Sequence, residues 1–118
     1  MANTFKVITR DVAPQSAGTP ETLYTVQSGS TIVILGLTLC NVHTSQVTGT
    51  VQLVSTTTQT SQTQNTTAFI AKNIPVPVGS TVELFAGNKI NLNVGDIIKI
   101  DCSVTDKLSV TMSYMEIT

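Results

Sequence analysis

Apolar and polar residues alternate at every second position through much of this chain, most clearly near its end. Ile98, Ile100, Cys102 and Val104 share one parity, with Lys99, Asp101 and Ser103 on the other. Leu108, Val110, Met112 and Tyr114 likewise oppose Ser109, Thr111 and Ser113. An apolar side and a polar side at period two mark a half-buried strand. The pattern predicts an antiparallel hairpin turning at Thr105-Asp106-Lys107. The same reading places further strands at Thr4–Val12, Thr22–Gln27, Thr31–Val42, Val47–Ser55, Thr66–Ile74, Thr81–Ala86 and Lys89–Leu92. β-branched residues dominate and helical periodicity does not recur, so essentially no helix is expected.

The breaks between these runs have local causes. Pro14 and the segment Gln15–Pro20 interrupt a ladder, because proline cannot donate to it. Ser28-Gly29-Ser30, Val78-Gly79-Ser80, Ala86-Gly87-Asn88 and Val94-Gly95-Asp96 supply residues that tolerate positive φ. Val26–Ile32 and Val76–Val82 echo one another, each with a Gly-Ser-Thr turn feeding a strand. That weak repeat fits two Greek-key units. The expected fold is an all-β, antiparallel two-sheet sandwich of jelly-roll or Greek-key kind.

The run Thr31–Val42 departs from simple alternation. One parity carries Ile32, Ile34, Cys40 and Val42, and the other carries Val33, Leu35, Leu37 and Leu39. A strand apolar on both faces is covered on both, by another part of the chain or by a neighbouring subunit. Val33, Leu35, Leu37 and Leu39 are therefore the candidate oligomer interface. The tract Ser55–Thr67 is the opposite case. Its sequence, STTTQTSQTQNTT, has no apolar anchor and reads as an exposed hairpin tip or crossover. The chain is thus expected to be one domain over 1–118, with an N-terminal arm over 1–20 and a polar loop over 55–67.

Composition sharpens this picture. Charged residues are 11% of 118, against a usual ~25%. So little surface charge suits a protein packed against neighbours better than a free monomer. Net charge is −1 and the six basic residues are scattered, so no nucleic-acid-binding face is expected. No apolar run reaches the roughly 18 residues of a membrane span, and residues 1–20 hold no signal-peptide core. Cys40 and Cys102 are then expected to be thiols, with Cys102 buried.

Candidate chemistry is thin. His43 is the single histidine, and no nucleophile elbow accompanies it. Asp11, Glu21, Glu83, Asp96, Asp101, Asp106 and Glu116 form no acid/base or metal-ligand spacing. Asp96 is expected to cap its own turn. Of the five aromatic residues, Tyr114 and Phe5 are expected to face inward, leaving Phe69 and Phe85 as the rings a sugar could stack on. The expectation is a non-enzyme with no cofactor and no metal, and a glycan-binding module is the rival among binding functions.

The order and spacing of several elements carry a resemblance. These are Lys72, Pro75-Val76-Pro77, Gly79-Ser80-Thr81, Leu84, Gly87, Lys89, Leu92, Gly95-Asp96, Ile98-Lys99 and the ending Ser113-Tyr114-Met115-Glu116-Ile117. In the first half they are Tyr24-Thr25-Val26, Gly29 and Val33-Ile34-Leu35-Gly36-Leu37-Thr38-Leu39. Taken together they resemble small β-sandwich virion structural proteins of tailed bacteriophages, of the cyanophage and marine-phage type. The resemblance implies a non-catalytic particle component that acts as an oligomer, assembled in the host cytoplasm and located in the virion. The specific expectation is a capsid decoration or cement protein, a symmetric homo-oligomer such as a trimer, whose other partner is the major capsid protein. A neck, tail or fibre accessory, or a glycan- or receptor-binding adhesin, is the alternative. Neither nucleic acid nor membrane is an expected partner.

Overall fold

The computed structural model describes residues 2–55, 66–85 and 88–118. Its strands are β1 (Asn3–Ala13), β2 (Glu21–Thr25), β3 (Thr31–Asn41), β4 (Val47–Val54), β5 (Thr67–Val76), β6 (Thr81–Leu84), β7 (Ile90–Leu92), β8 (Ile97–Cys102) and β9 (Leu108–Ile117). All pairings are antiparallel, and the described residues contain no helix. One sheet has the order β1-β9-β3-β6, with β7 also on β3, and the other has the order β2-β8-β4-β5. Strand β6 pairs with Leu37–Cys40 and β7 with Ile32–Ile34, so the two lie end to end and fill one position. The result is two four-position sheets whose strands interleave as two Greek keys, which is a jelly roll.

This topology corrects the expected final hairpin. Strand β8 lies in the second sheet and β9 in the first, so Thr105-Asp106-Lys107 carries the chain across the sandwich. The parities on either side were read correctly, since Ile98, Ile100, Cys102, Leu108, Val110, Met112 and Tyr114 are all buried. They pack toward each other across the sandwich. A polarity pattern gives each strand's inner side without saying which sheet holds it. Residues 3–13 likewise form β1, paired with β9 along its length, so the expected arm over 1–20 is an integral strand followed by a connection. Most of the polar loop over 55–67 lies outside the described residues. The strands flanking it are paired up to a hydrogen bond from the Ser55 N–H to the Thr66 carbonyl.

The echo between the two halves is structural. The Ser30 N–H donates to the Gln27 carbonyl at 3.3 Å with Gly29 at φ 84°, and the Ser80 N–H to the Pro77 carbonyl at 3.2 Å with Gly79 at φ 69°. Both are four-residue turns with positive φ at the third residue, which glycine meets without strain. One takes the chain from β2 to β3 and the other from β5 to β6, each crossing from the second sheet to the first.

The apolar run in β3 also has a geometric cause. The β3–β9 register shifts between Ile34 and Gly36, inserting Leu35 as an extra residue. Such a bulge reverses which parity faces the core. Ile32 and Ile34 point inward before it, and Leu37, Leu39 and Asn41 after it; the four apolar residues have no exposed surface. Leu37 and Leu39 are therefore core residues and are corrected as interface candidates. Asn41 is buried there because its side-chain amide donates to the Ser45 and Val76 carbonyls, while its oxygen accepts the His43 N–H.

Candidate functional site: two unlike outer faces

Burying the inner faces leaves each sheet an outer face, and the two differ in chemistry. The first sheet presents Phe5 and Val7 of β1, 74% and 60% exposed. Phe5 pairs with Met115, and Met115 with Val33, so the three form one row across β1, β9 and β3. Met115, Val33, Leu35 and Ile117 are half-buried. The polar members of this face are uncharged (Thr9, Thr111, Ser113 and Thr38), and carboxylates come only at its far end, at Asp11 and Glu83. Val33 and Leu35 thus remain on an outer surface, where the sequence placed its interface, but Phe5 and Val7 are its most exposed members.

Phe5 was expected inside. Its strand carries Lys6 and Arg10 on the opposite parity, and charged residues usually mark the solvent side. Here they sit on the inner side of an edge strand and reach past the core to carboxylates. Lys6 Nζ donates to Glu116 Oε1 at 2.7 Å, and Arg10 Nε to Glu21 Oε2 at 3.3 Å. The Ser30 hydroxyl donates to the other Glu116 oxygen. The Lys6 hydrogen bond, and then that from Ser30, hold the Glu116 carboxyl below its ordinary pKa of 4.5. The Glu116 hydrogen bond and charge raise Lys6 above its ordinary 10.5. Arg10 ties the edge of the first sheet to Glu21, at the start of β2 in the second. Tyr24 of β2 packs on Tyr114 of β9 with ring centroids 5.1 Å apart, and burial, followed by the neighbouring Tyr114, pushes its phenol up to about 12.

The second sheet's outer face is polar. A depression of about 350 Å³ is lined by Thr48, Thr50, Asn73, Asp101 and Ser103, with Ala17 and Gly18 at its side. The β1–β2 connection is held over it, because the Gly18 N–H donates to Asp101 Oδ1 and the Ala17 N–H to Thr105 Oγ1. The Cys102 N–H donates to the same Asp101 oxygen. Asn73 has φ 50°, and its N–H donates to Thr50 Oγ1 at 3.0 Å. The β4–β5 register shifts on both sides of Val51, so the strands bend beside the depression. No motif marked this group, since its residues come from three strands and a loop. The nearest signal was Asp101 on the polar parity of its strand. Phe69 lies 51% exposed on β5 with the Lys72 ammonium over its ring, while Phe85 packs against the core.

The remaining candidates stay apart. His43 sits in the turn after β3, with its N–H on Asn41 Oδ1. Asp96 is buried in its turn and accepts the Asn93 N–H, the capping role expected of it. Cys40 is half-buried, Cys102 is buried, and both are free thiols. Among the described residues, no three His, Cys, Asp or Glu side chains are grouped to hold a metal ion. The fold and these faces define the chain as a jelly-roll β-sandwich. No family model, curated protein or solved structure matches it.

Proposed function

We propose that this chain is a non-catalytic structural component of a tailed-phage particle, seated on the capsid surface as a decoration or cement protein. The carrying observation is the contrast between the two outer faces. The first sheet offers a patch free of charged groups, with Phe5 and Val7 exposed and Met115, Val33 and Leu35 beside them, and carboxylates only at its far end. The second offers threonines, Asn73, Asp101 and Lys99, with Phe69 exposed under the Lys72 ammonium. An exposed apolar patch on one face and a polar depression on the other suit a subunit that docks by the first and turns the second to solvent. The resemblance, in order and spacing of turn and strand residues, to small phage virion proteins supplies the rest. Its partners are then further copies of itself and the major capsid protein. Cement proteins stabilise shells by binding the assembled lattice in preference to free subunits. Particles lacking the chain should assemble but release DNA at a lower temperature or on osmotic shock, and added purified chain should restore them. Equal stability with and without the chain overturns the reading.

The polar depression favours a second reading as a saccharide-binding adhesin module. Carboxylate, amide and hydroxyl groups gathered around one hollow can pair with sugar hydroxyls. A glycan array gives specific hits under that reading, and they are lost in Asp101→Ala and Asn73→Ala.

A further inference from the structure

The hydrogen-bond phase of β1 determines what its outer edge offers. Ala2 and Thr118 exchange both backbone bonds, at 3.1 and 3.0 Å. In an antiparallel ladder such pairs alternate with unbonded ones. In the β1–β9 register, Thr4, Lys6, Ile8 and Arg10 therefore bond to β9, while Asn3, Phe5, Val7 and Thr9 aim their N–H and C=O groups away from it. Strand β1 ends the sheet order, so these groups line its free edge. The same residues carry the exposed Phe5 and Val7 side chains.

Edges left open in this way are usually blunted, and the other edges here are. Strand β5 has Pro75, Asn73 at positive φ and two register shifts. Strands β6 and β7 have four and three residues. Strand β2 has five residues and a register shift. Strand β1 has eleven, without Pro or Gly, and its ladder is regular from Asn3 to Arg10. Lys6 is turned to Glu116 and Arg10 to Glu21, although Arg10 Nη1 also makes a long 3.5 Å hydrogen bond to the Thr9 carbonyl, which pairing must displace.

We propose that β1 pairs with β1 of a second copy, antiparallel about a two-fold axis at Val7, joining the first sheets of two molecules into one. Charge, register and paired length favour this occupant and this axis: centring on Phe5 also opposes no like charges but pairs only residues 2–8, against 3–11 about Val7. Centring on Val7 sets Lys6 against Ile8 and Arg10 against Thr4, with no like charges opposed. Centring on Ile8 sets Lys6 against Arg10, and centring on Lys6 sets it against itself, both repulsive. Centring on Thr9 runs the pairing into the irregularity after Arg10. About Val7, the bonded pairs are Val7 with itself and Phe5 with Thr9 twice, giving about six backbone hydrogen bonds. The contact is isologous, so each copy supplies the same residues. The Phe5 and Val7 side chains of both copies then lie on one continuous outer face. The proposal stands apart from the particle reading, since it concerns the free chain in solution.

The test is sedimentation equilibrium of the full chain under reducing conditions at about 100 μM. The wild type should be a dimer. Val7→Lys places two ammonium groups at the axis, and Thr9→Pro removes an edge N–H that β9 does not use. Each should weaken association about tenfold or more while leaving the circular dichroism spectrum unchanged. A Val7→Cys variant in a Cys40→Ser background should cross-link on mild oxidation, its two Cα atoms lying about 5.5 Å apart. Phe5→Cys, about 14 Å from its copy, should not. A monomeric wild type, a dimer unaffected by both edge variants, or equal cross-linking at positions 5 and 7 overturns the proposal.

Discussion

Leu35 and Leu37 stand two positions apart, share a parity and have the same side chain, yet one is half-buried and the other has no exposed surface. The bulge between Ile34 and Gly36 separates their fates. Leu37→Ala should cost about 2–5 kcal/mol in urea unfolding, as a core deletion does, and Leu35→Ala about 1 kcal/mol or less. Equal costs would place the bulge elsewhere. Glu116 provides a second residue-scale test. Its carboxyl is held below the ordinary value by Lys6 and then Ser30, so the folded state gains stability above the unfolded carboxylate pKa. That gain is lost as pH falls through the depressed value. Lys6 shows the opposite limb: raised by Glu116, it contributes below 10.5, and the contribution disappears as pH rises through the raised value. Carboxyl-carbon NMR should show Glu116 titrating below 4.5, and Lys6→Met should move it back upward.

At the scale of elements, the two Gly-Ser-Thr turns make matched predictions. Gly29 and Gly79 hold positive φ with nothing within 4 Å of where a Cβ would stand, so backbone conformation alone opposes a side chain. Gly29→Ala and Gly79→Ala should each cost about 1 kcal/mol in thermal unfolding. The strands and these turns were legible because their signals are local: alternation at period two, and glycine or proline where the chain bends. All nine expected strands coincide with observed ones to within a few residues. Features that depend on partners distant in sequence were hidden. Nothing within Ile97–Ile117 says that β8 and β9 belong to different sheets. Nothing within Thr31–Asn41 reveals a bulge, and the two-sided apolarity it produces looks like a strand covered twice. The outward placement of Phe5 was hidden for the same reason, since the carboxylates that hold Lys6 and Arg10 on the inner side lie 110 and 11 residues away.

At the scale of the whole molecule, the jelly roll leaves one outer face with an exposed apolar patch around Phe5 and Val7, and gathers carboxylate, amide and hydroxyl groups in a depression on the other. Low charge and a recurring strand pattern carried the expectation of assembly. Which residues form the apolar face emerged only from the pairing of β1, β9 and β3, and the polar depression only from the meeting of β4, β5, β8 and the β1–β2 connection. A cement protein must occur at nearly every equivalent site of its shell, because a lattice repeats its docking surface. A ring at the neck or tail offers few positions. The proposed function is tested most directly by the copy number of this chain in purified phage particles, counted by quantitative mass spectrometry. The account predicts a number on the order of hundreds, whereas about six to eighteen copies, or none, would contradict it.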